Sequence, residues 1–517
     1  MNNPWTRRDL LHGTATGLAA LSMPTFLASC AKQGIQPLAS GTETPGNPFQ
    51  LWFGIDEATI RRVMTELSAR GADAADLYFQ HTRSNSIRME DGLISEAAAS
   101  IDQGVGLRVV VGDQVGYAFT EDLTLESMLG AARTAAAIAQ GVAVAPSQTF
   151  QYGETGAFYR IAVPWADVGI DQKLPIVEKA AALAKAGDPA IDKVSVSWND
   201  SDERVLIADL RGNVYMDSRP MTRLWVNCTA TKGEETQSNR ANIAGRHGID
   251  WYTDERLQMV AKQAVDRTMI LFDAVRPKAG EMPVVLAAGA SGILLHEAIG
   301  HGMEADFNRK GTSIYSDMLG KKVAPDFVTI VDDGTQPGER GALNLDDEGT
   351  PCEKTVLVEN GIMTSYLHDN ISAKHYGLER STGSGRRQSF RHTVMPRMRS
   401  TYMLDGPHTR DEIIASVDNG IIAETFTNGQ VNIGAGDYTF YIKNGWLIEG
   451  GKVTAPLKDV NIIGNGPESL QRVTMAANDF KLDTGGWTCG KNSQWVPVSQ
   501  GLPTVLVSKM TVGGSDA

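Results

Sequence analysis

Two histidines bracket a glutamate in Leu294-Leu295-His296-Glu297-Ala298-Ile299-Gly300-His301, near the middle of a 517-residue chain. Neutral imidazoles are common zinc ligands, and a carboxylate beside one of them can take a proton from an activated water. In the familiar H-E-x-x-H pattern the histidines are four residues apart, about 40° around a helix. Here they are five apart, which a regular helix turns to about 140°. Both rings reach one metal only if the helix is locally underwound, as in a π-bulge, or ends near Gly300. The extra residue therefore either removes the metal reading or marks a distinct pattern.

A third ligand is needed, and the chain has four cysteines, Cys30, Cys228, Cys352 and Cys489, far too few for a disulfide-built scaffold. Cys228 ends the alternating Leu224-Trp225-Val226-Asn227-Cys228 and reads as a small buried hydrophobe. Cys352 follows the turn-like Asp346-Asp347-Glu348-Gly349-Thr350-Pro351 and reads as structural. Cys489 sits in Gly485-Gly486-Trp487-Thr488-Cys489-Gly490-Lys491, whose glycines let a thiolate approach a metal without a steric penalty. Two imidazoles and one thiolate would leave a tetrahedral zinc one open position, as catalytic sites do.

From about Leu51 to Gly514 the chain resembles the TldD branch of the TldD/PmbA metallopeptidase family. The resemblance is carried by His296-Glu297-Ala298-Ile299-Gly300-His301, by Asp346-Asp347-Glu348-Gly349-Thr350, and by Gly385-Arg386-Arg387 with Pro396-Arg397-Met398. Cys489-Gly490-Lys491 with Val496-Pro497-Val498 extends it, as do Asp76-Leu77-Tyr78-Phe79-Gln80 and Ile101-Asp102-Gln103-Gly104-Val105-Gly106 in the first half. It implies Zn2+ held by His296, His301 and Cys489, with Glu297 as the catalytic acid/base. The PmbA branch lacks the histidine motif. The implied activity is that of a zinc metallopeptidase hydrolysing short or unfolded peptides, using a zinc-activated water and a glutamate general base. An extended peptide would add as a β-strand in a narrow site between domains. The resemblance also implies a homodimer, or a heterodimer with a PmbA-like subunit. The alternative is a non-catalytic zinc-dependent scaffold, or a subunit active only with such a partner. The family's older label, modulator of DNA gyrase, points to a nucleic-acid-associated regulator.

The amino terminus carries a different signal. Thr6-Arg7-Arg8-Asp9-Leu10-Leu11 reads as a twin-arginine export sequence, and the stretch from Gly13 to Ala28 is too short and weakly apolar to span a membrane. Leu27-Ala28-Ser29-Cys30 resembles a lipobox, making Cys30 the site of lipid attachment. The expected organisation is an export signal over 1–29, a flexible tether rich in Gly, Pro, Ser and Thr over 30–50, an amino-terminal α+β domain over 51–275, and a catalytic β-rich domain over 276–517. The expected address is periplasmic or cell-envelope, with membrane contact only through the lipid. Net charge is −13, and removing residues 1–29 takes away Arg7, Arg8 and Asp9, leaving −14. That acidic balance and the export signal oppose nucleic-acid binding, which needs a clustered basic surface.

The fold class expected is α+β: amino-terminal helices over an antiparallel sheet, then a mainly β carboxy-terminal domain around one metal-binding helix. Asp56 can cap a first helix whose apolar face is Ile60, Val63, Met64 and Leu67. Strands are expected over 77–81, 86–90, 106–111, 194–198, 205–210 and 223–231, with helices over 127–140 and 172–185. The second half opens with a strand over 283–286. The glycine-rich Ala287-Ala288-Gly289-Ala290-Ser291-Gly292 that follows lacks the Gly-Lys-Ser/Thr of a P-loop. Asp332-Asp333-Gly334, Glu359-Asn360-Gly361, Lys443-Asn444-Gly445 and Glu449-Gly450-Gly451 read as solvated turns between short strands. Arg386, Arg387, Arg391 and His392 cluster beside a glycine-rich turn; they are candidates for substrate binding, as an oxyanion donor or a clamp on a peptide carboxylate, against the plain reading of a solvated basic loop.

Overall fold

The computed structural model describes residues 47–514. The expected export signal, Cys30 and residues 31–46 of the expected tether lie outside the described residues. Asn47 caps a short helix, Pro48–Phe53, its Oδ1 accepting from Phe49 N at 3.1 Å, so residues 48–50 are helical rather than tether. From Ile55 onward the described residues form one compact unit. Its first helix, Glu57–Leu67, is capped by Asp56, whose Oδ1 accepts from Thr59 N at 2.7 Å, and it buries Ile60, Val63, Met64 and Leu67.

The first half is built on a seven-stranded sheet. Its order is Gln114–Thr120, Leu93–Val111, Ala74–Glu90, Ile191–Asp209, Asn213–Lys232 and the short Gln151–Tyr152, with Glu235–Gly245 also on Asn213–Lys232. Every pairing is antiparallel except that of Gln151–Tyr152. The strands are longer than hydrophobic alternation predicts. Residues 77–81 and 86–90 belong to one strand because the polar segment between them is paired across the sheet, Arg83 with Asp202 and Asn85 with Asp200. Asn85 Nδ2 donates to Asp200 Oδ1 at 2.7 Å, and such cross-strand pairs sustain a strand where burial does not. Helices Ile170–Lys185 and Asp254–Met269 cover this sheet over a core that includes Trp165, Trp198 and Val226.

The second half has two larger sheets. In one, Asn419–Val431, Gly280–Leu286, Val505–Gly513, Val460–Asn465 and Asp437–Glu449 pair in turn, and Asp437–Glu449 pairs back onto Asn419–Val431, closing a ring. The other runs Ile362–Met363, Lys354–Glu359, Ile330–Asp333, Ser400–Met403, Ser499–Leu502, Lys481–Leu482. Residues 290–303 pack on the ring, with Ile293, Leu294, Leu295 and Ile299 sharing a core with Val284, Ile421, Phe440 and Ile462.

Two expected turns are something else. Lys443-Asn444-Gly445 lies inside strand Asp437–Glu449, where the register with Asn419–Val431 shifts and the Asn444 amide is taken by Thr425, Asn239 and the Arg267 carbonyl. Asp332 is not solvated: Arg399 Nε meets its carboxylate at 2.7 Å with both side chains fully buried. The acidic run Asp346-Asp347-Glu348 is likewise internal and ties the two halves together. Asp347 Oδ1 lies 2.7 Å from Arg219 Nη1, and Glu348 Oε1 lies 2.6 Å from Arg108 Nη1. Gly104 marks another junction, because a Cβ there would sit 2.2 Å from the Phe390 ring.

Candidate metal centre

The segment leading into the histidines changes its winding as it goes. Ser291 Oγ bonds Ala423 O at 3.0 Å, and Gly292 lies against the backbone of Gly501 so closely that a Cβ would be 2.4 Å from its nitrogen. A short α-turn over Ile293–Leu295 passes into a π-helical turn over His296–Gly300, and a 3-10 turn follows over His301–Met303. His301 N–H donates to His296 O, five residues back, which is the widened bond the spacing demands. The two rings consequently share a face, with centroids 5.0 Å apart and planes at 85°.

Cys489 arrives from a separate hairpin, Thr488–Lys491 paired with Gln494–Pro497. Its Sγ is 3.4 Å from His301 Nε2, and one donor atom from each of His296, His301 and Cys489 lies within 4.8 Å of the others. All three side chains are buried. His301 Nδ1 is 2.9 Å from Glu304 Oε2, which holds that nitrogen and leaves Nε2 facing Cys489 and, at 3.9 Å, Glu297 Oε2. Glu297 is the one member of the group that remains partly open to solvent.

The charges around the site are set by burial and by each other. Burial disfavours a charged His301, yet Cys489 and Glu304 hold its pKa well above the ordinary range. Burial likewise opposes a thiolate at Cys489, but His301 and His296 pull its pKa well below the ordinary thiol value. Burial raises Glu297, and the thiol and Glu304 add to this against the two rings. Burial would raise Glu304 too, but Lys491, His301 and Arg397 bring it down to about 2.

These residues fit a metal by a test of their own chemistry. Two imidazoles and a low-pKa thiol are the borderline-soft donor set that zinc takes. His296 Nδ1 is buried with no hydrogen-bond partner among the described residues, a cost that a cation in reach of the ring would offset.

The basic cluster is placed differently from the expectation. Arg386 is buried, donating through Nη1 to Met398 O at 2.5 Å and Nη2 to Pro497 O at 2.8 Å. Arg387 donates to Asp76 Oδ1 at 3.2 Å and to Asp347 O at 3.1 Å, and lies over the Tyr78 ring at 4.3 Å. Arg391 pairs with Asp102 and Glu121. His392 turns back to Ser389, its Nδ1 3.0 Å from Oγ. The guanidiniums Arg386 and Arg387 are committed to the interior because they join segments distant in sequence, so neither is the expected clamp. Sequence reasoning passed over Glu304, although its position three residues after His301 puts it on the same helical face. Lys491 and Arg397 were visible only as parts of longer motifs.

Three family models of the PmbA/TldA metallopeptidases match the chain: domain 1 over residues 75–139, the central domain over 163–272 and the C-terminal domain over 279–514. A metalloprotease TldD homolog of Haemophilus influenzae is 39% identical over 466 residues, covering 89% of this chain and 96% of that protein. A zinc metalloprotease TldD homolog of Saccharolobus solfataricus is 26% identical over 463 residues, covering 86% and 97%. Among solved structures, TldE from Thermococcus kodakarensis superposes with a TM-score of 0.69 at 19% identity, covering 88% of this chain and 99% of that one, a likeness of fold.

Proposed function

The chain belongs to the PmbA/TldA metallopeptidase family, and from that premise we propose that it is a zinc peptidase of the TldD type acting on short or unfolded peptides. The observation that supports this reading best is the meeting of His296, His301 and Cys489 within 4.8 Å, with Glu297 alongside. The name of the S. solfataricus relative supports zinc among the metals this donor set accepts.

Zinc, when bound, supplies Lewis acidity, lowering the pKa of a water ligand to about 7 and polarising the scissile carbonyl. Glu297 then accepts a proton from the attacking water as its oxygen bonds the carbonyl carbon, and returns that proton to the amine as the C–N bond breaks. Its raised pKa, caused first by burial, makes it a stronger base than a solvated glutamate. Glu304 keeps His301 in the tautomer with Nδ1 protonated.

The test is metal analysis together with peptide turnover by the purified single chain. One zinc per chain is expected, lost on changing His296, His301 or Cys489 to alanine. Glu297→Gln should retain zinc and lose turnover, because an amide cannot take the proton. A fully loaded Cys489→Ala protein would remove the thiolate from the site. A loaded wild-type chain that cleaves nothing alone, but cleaves with a PmbA-like partner added, would establish the two-subunit reading.

A further inference from the structure

A cavity of about 120 Å³ opens between the Glu235–Gly245 strand of the first sheet and the ring of the second half. It exceeds what a few waters need and falls short of the several-hundred-Å³ sites of drug-sized ligands, which leaves room for about one peptide residue. One wall is Gly486-Trp487, two residues before Cys489. Another is the 425–427 part of strand Asn419–Val431, and further along that strand a Cβ on Gly429 would lie 3.4 Å from Glu297 Cγ. The strand that walls the cavity thus runs on to the proposed general base.

Its lining is cationic in a chain of net charge −13. Arg240, Arg267 and Lys443 all face it, and none forms an ion pair among the described residues. Arg240 stacks over the Trp225 ring at 4.5 Å, which supports the guanidinium while leaving its edge N–H groups for an acceptor in its plane. Arg267 spends one nitrogen on the Arg240 carbonyl at 3.3 Å. Glu424 also acts on Arg267 through its charge, while pairing with Arg410 at 3.6 Å. Three neutral polar side chains of the wall are already engaged. Asn239 Nδ2 donates to Arg267 O and Asn444 Oδ1, Asn242 Nδ2 to Thr484 O, and Thr425 Oγ1 to Asn444 Oδ1. The one acid in the lining, Asp483, accepts from the Gln500 backbone N–H at 3.3 Å, and burial pushes its pKa up to about 7. Three cations with no ion pair among the described residues therefore face a single carboxyl.

We infer that this cavity is a carboxylate-selecting subsite, taking a peptide that places either an acidic side chain or its free carboxyl terminus beside the bond to be cut. The inference rests on the peptidase reading for its substrate class. Hydrogen bonds to a charged partner contribute about 1.5–3 kcal/mol, so the carboxylate should tighten binding by about 10- to 100-fold.

The zinc-loaded full-length chain carrying Glu297→Gln is titrated with three peptides: one with a single glutamate, its Glu→Gln twin, and the glutamate peptide with an amidated terminus. Intrinsic fluorescence reports binding without turnover, because Trp225 and Trp487 line the cavity. A loss of about tenfold or more in the Gln twin marks an acidic side chain as the source, and the same loss on amidation marks the terminus. In either case the preference should shrink with added salt and in separate Arg240→Gln and Lys443→Gln variants, both at surface-accessible positions chosen to spare the core. Equal affinity for all three peptides, or a preference untouched by both variants, would overturn the subsite. The same peptides given to the wild-type chain separate the two ideas: cleavage without preference sinks the subsite and keeps the peptidase, while preferential binding without cleavage does the reverse.

Discussion

Lys491 Nζ lies 3.1 Å from Glu304 Oε2, with the two side chains 3% and 0% exposed. The pair joins the two pieces from which the candidate centre is made. Glu304 follows His301 by three residues and holds its ring, while Lys491 follows Cys489 by two and also reaches Asp306 at 2.7 Å and the Pro396 carbonyl at 3.0 Å. Arg397 Nη2 adds a bond of 2.7 Å to the Cys489 carbonyl. The thiol and the imidazole are therefore kept together by charge that is itself shut away from water.

Breaking that pair should disturb both fold and metal. Lys491→Met leaves Glu304 short of a buried cation, a change worth about 3–5 kcal/mol in comparable pairs, and Glu304→Gln should weaken zinc affinity by about 10- to 100-fold. Chelator competition measures the second and denaturant unfolding the first. Lys491→Arg should recover part of the stability. Unchanged zinc affinity in Glu304→Gln would show that the His301 tautomer does not depend on this carboxylate.

Gly300 should tolerate no side chain. A Cβ there would sit 2.0 Å from Met398 Sδ, and Met398 is fully buried. Gly300→Ala is expected to cost about 1–3 kcal/mol by overpacking and to lower zinc retention by displacing His301. Adding Met398→Ala should restore part of the retention. A Gly300→Ala protein with wild-type unfolding midpoint and metal content would refute the tight packing of the widened turn.

Asp483 predicts a pH dependence of stability. Its pKa rises from 3.8 to about 7, first through burial, so the folded state holds a proton that the unfolded chain has released. The stabilisation linked to it is present below about pH 4 and is lost as pH rises through about 7. Replacing Asp483 with asparagine should flatten the pH profile of Tm between those limits. A profile of unchanged slope would mean that Asp483 titrates normally.

The expected address can be tested outside the described residues. Changing Arg7 and Arg8 to lysine should strand precursor in the cytoplasm, while Cys30→Ala should still permit export but remove the lipid. Cell fractionation with mass spectrometry of the amino terminus reads both. An unprocessed cytoplasmic protein would end the export claim and leave the metal chemistry standing.

Local chemistry made part of this molecule legible in its sequence. Asp56 could cap a helix because its side chain precedes an amphipathic run, and the five-residue spacing between His296 and His301 required a departure from regular winding if both rings were to reach one metal, because 100° per residue separates them. Both follow from bonds spanning a few residues. Tertiary structure decided the rest. The single long strand Ala74–Glu90 exists because Asn85 and Arg83 meet acids more than a hundred residues away, and no alternation within the segment carries that information. Arg386 and Arg387 read as a free basic cluster until docking of distant segments turned them inward. Cys489 meets His301 across 188 residues, and Lys491 meets Glu304 because the thiol hairpin lands on the turn that follows the histidines. Arg240, Arg267 and Lys443 come from a strand of one sheet, a helix over it and a strand of the ring, so their common cavity appears only when those elements pack. Contacts of that range are fixed by the burial of whole surfaces against one another, which residue spacing does not encode.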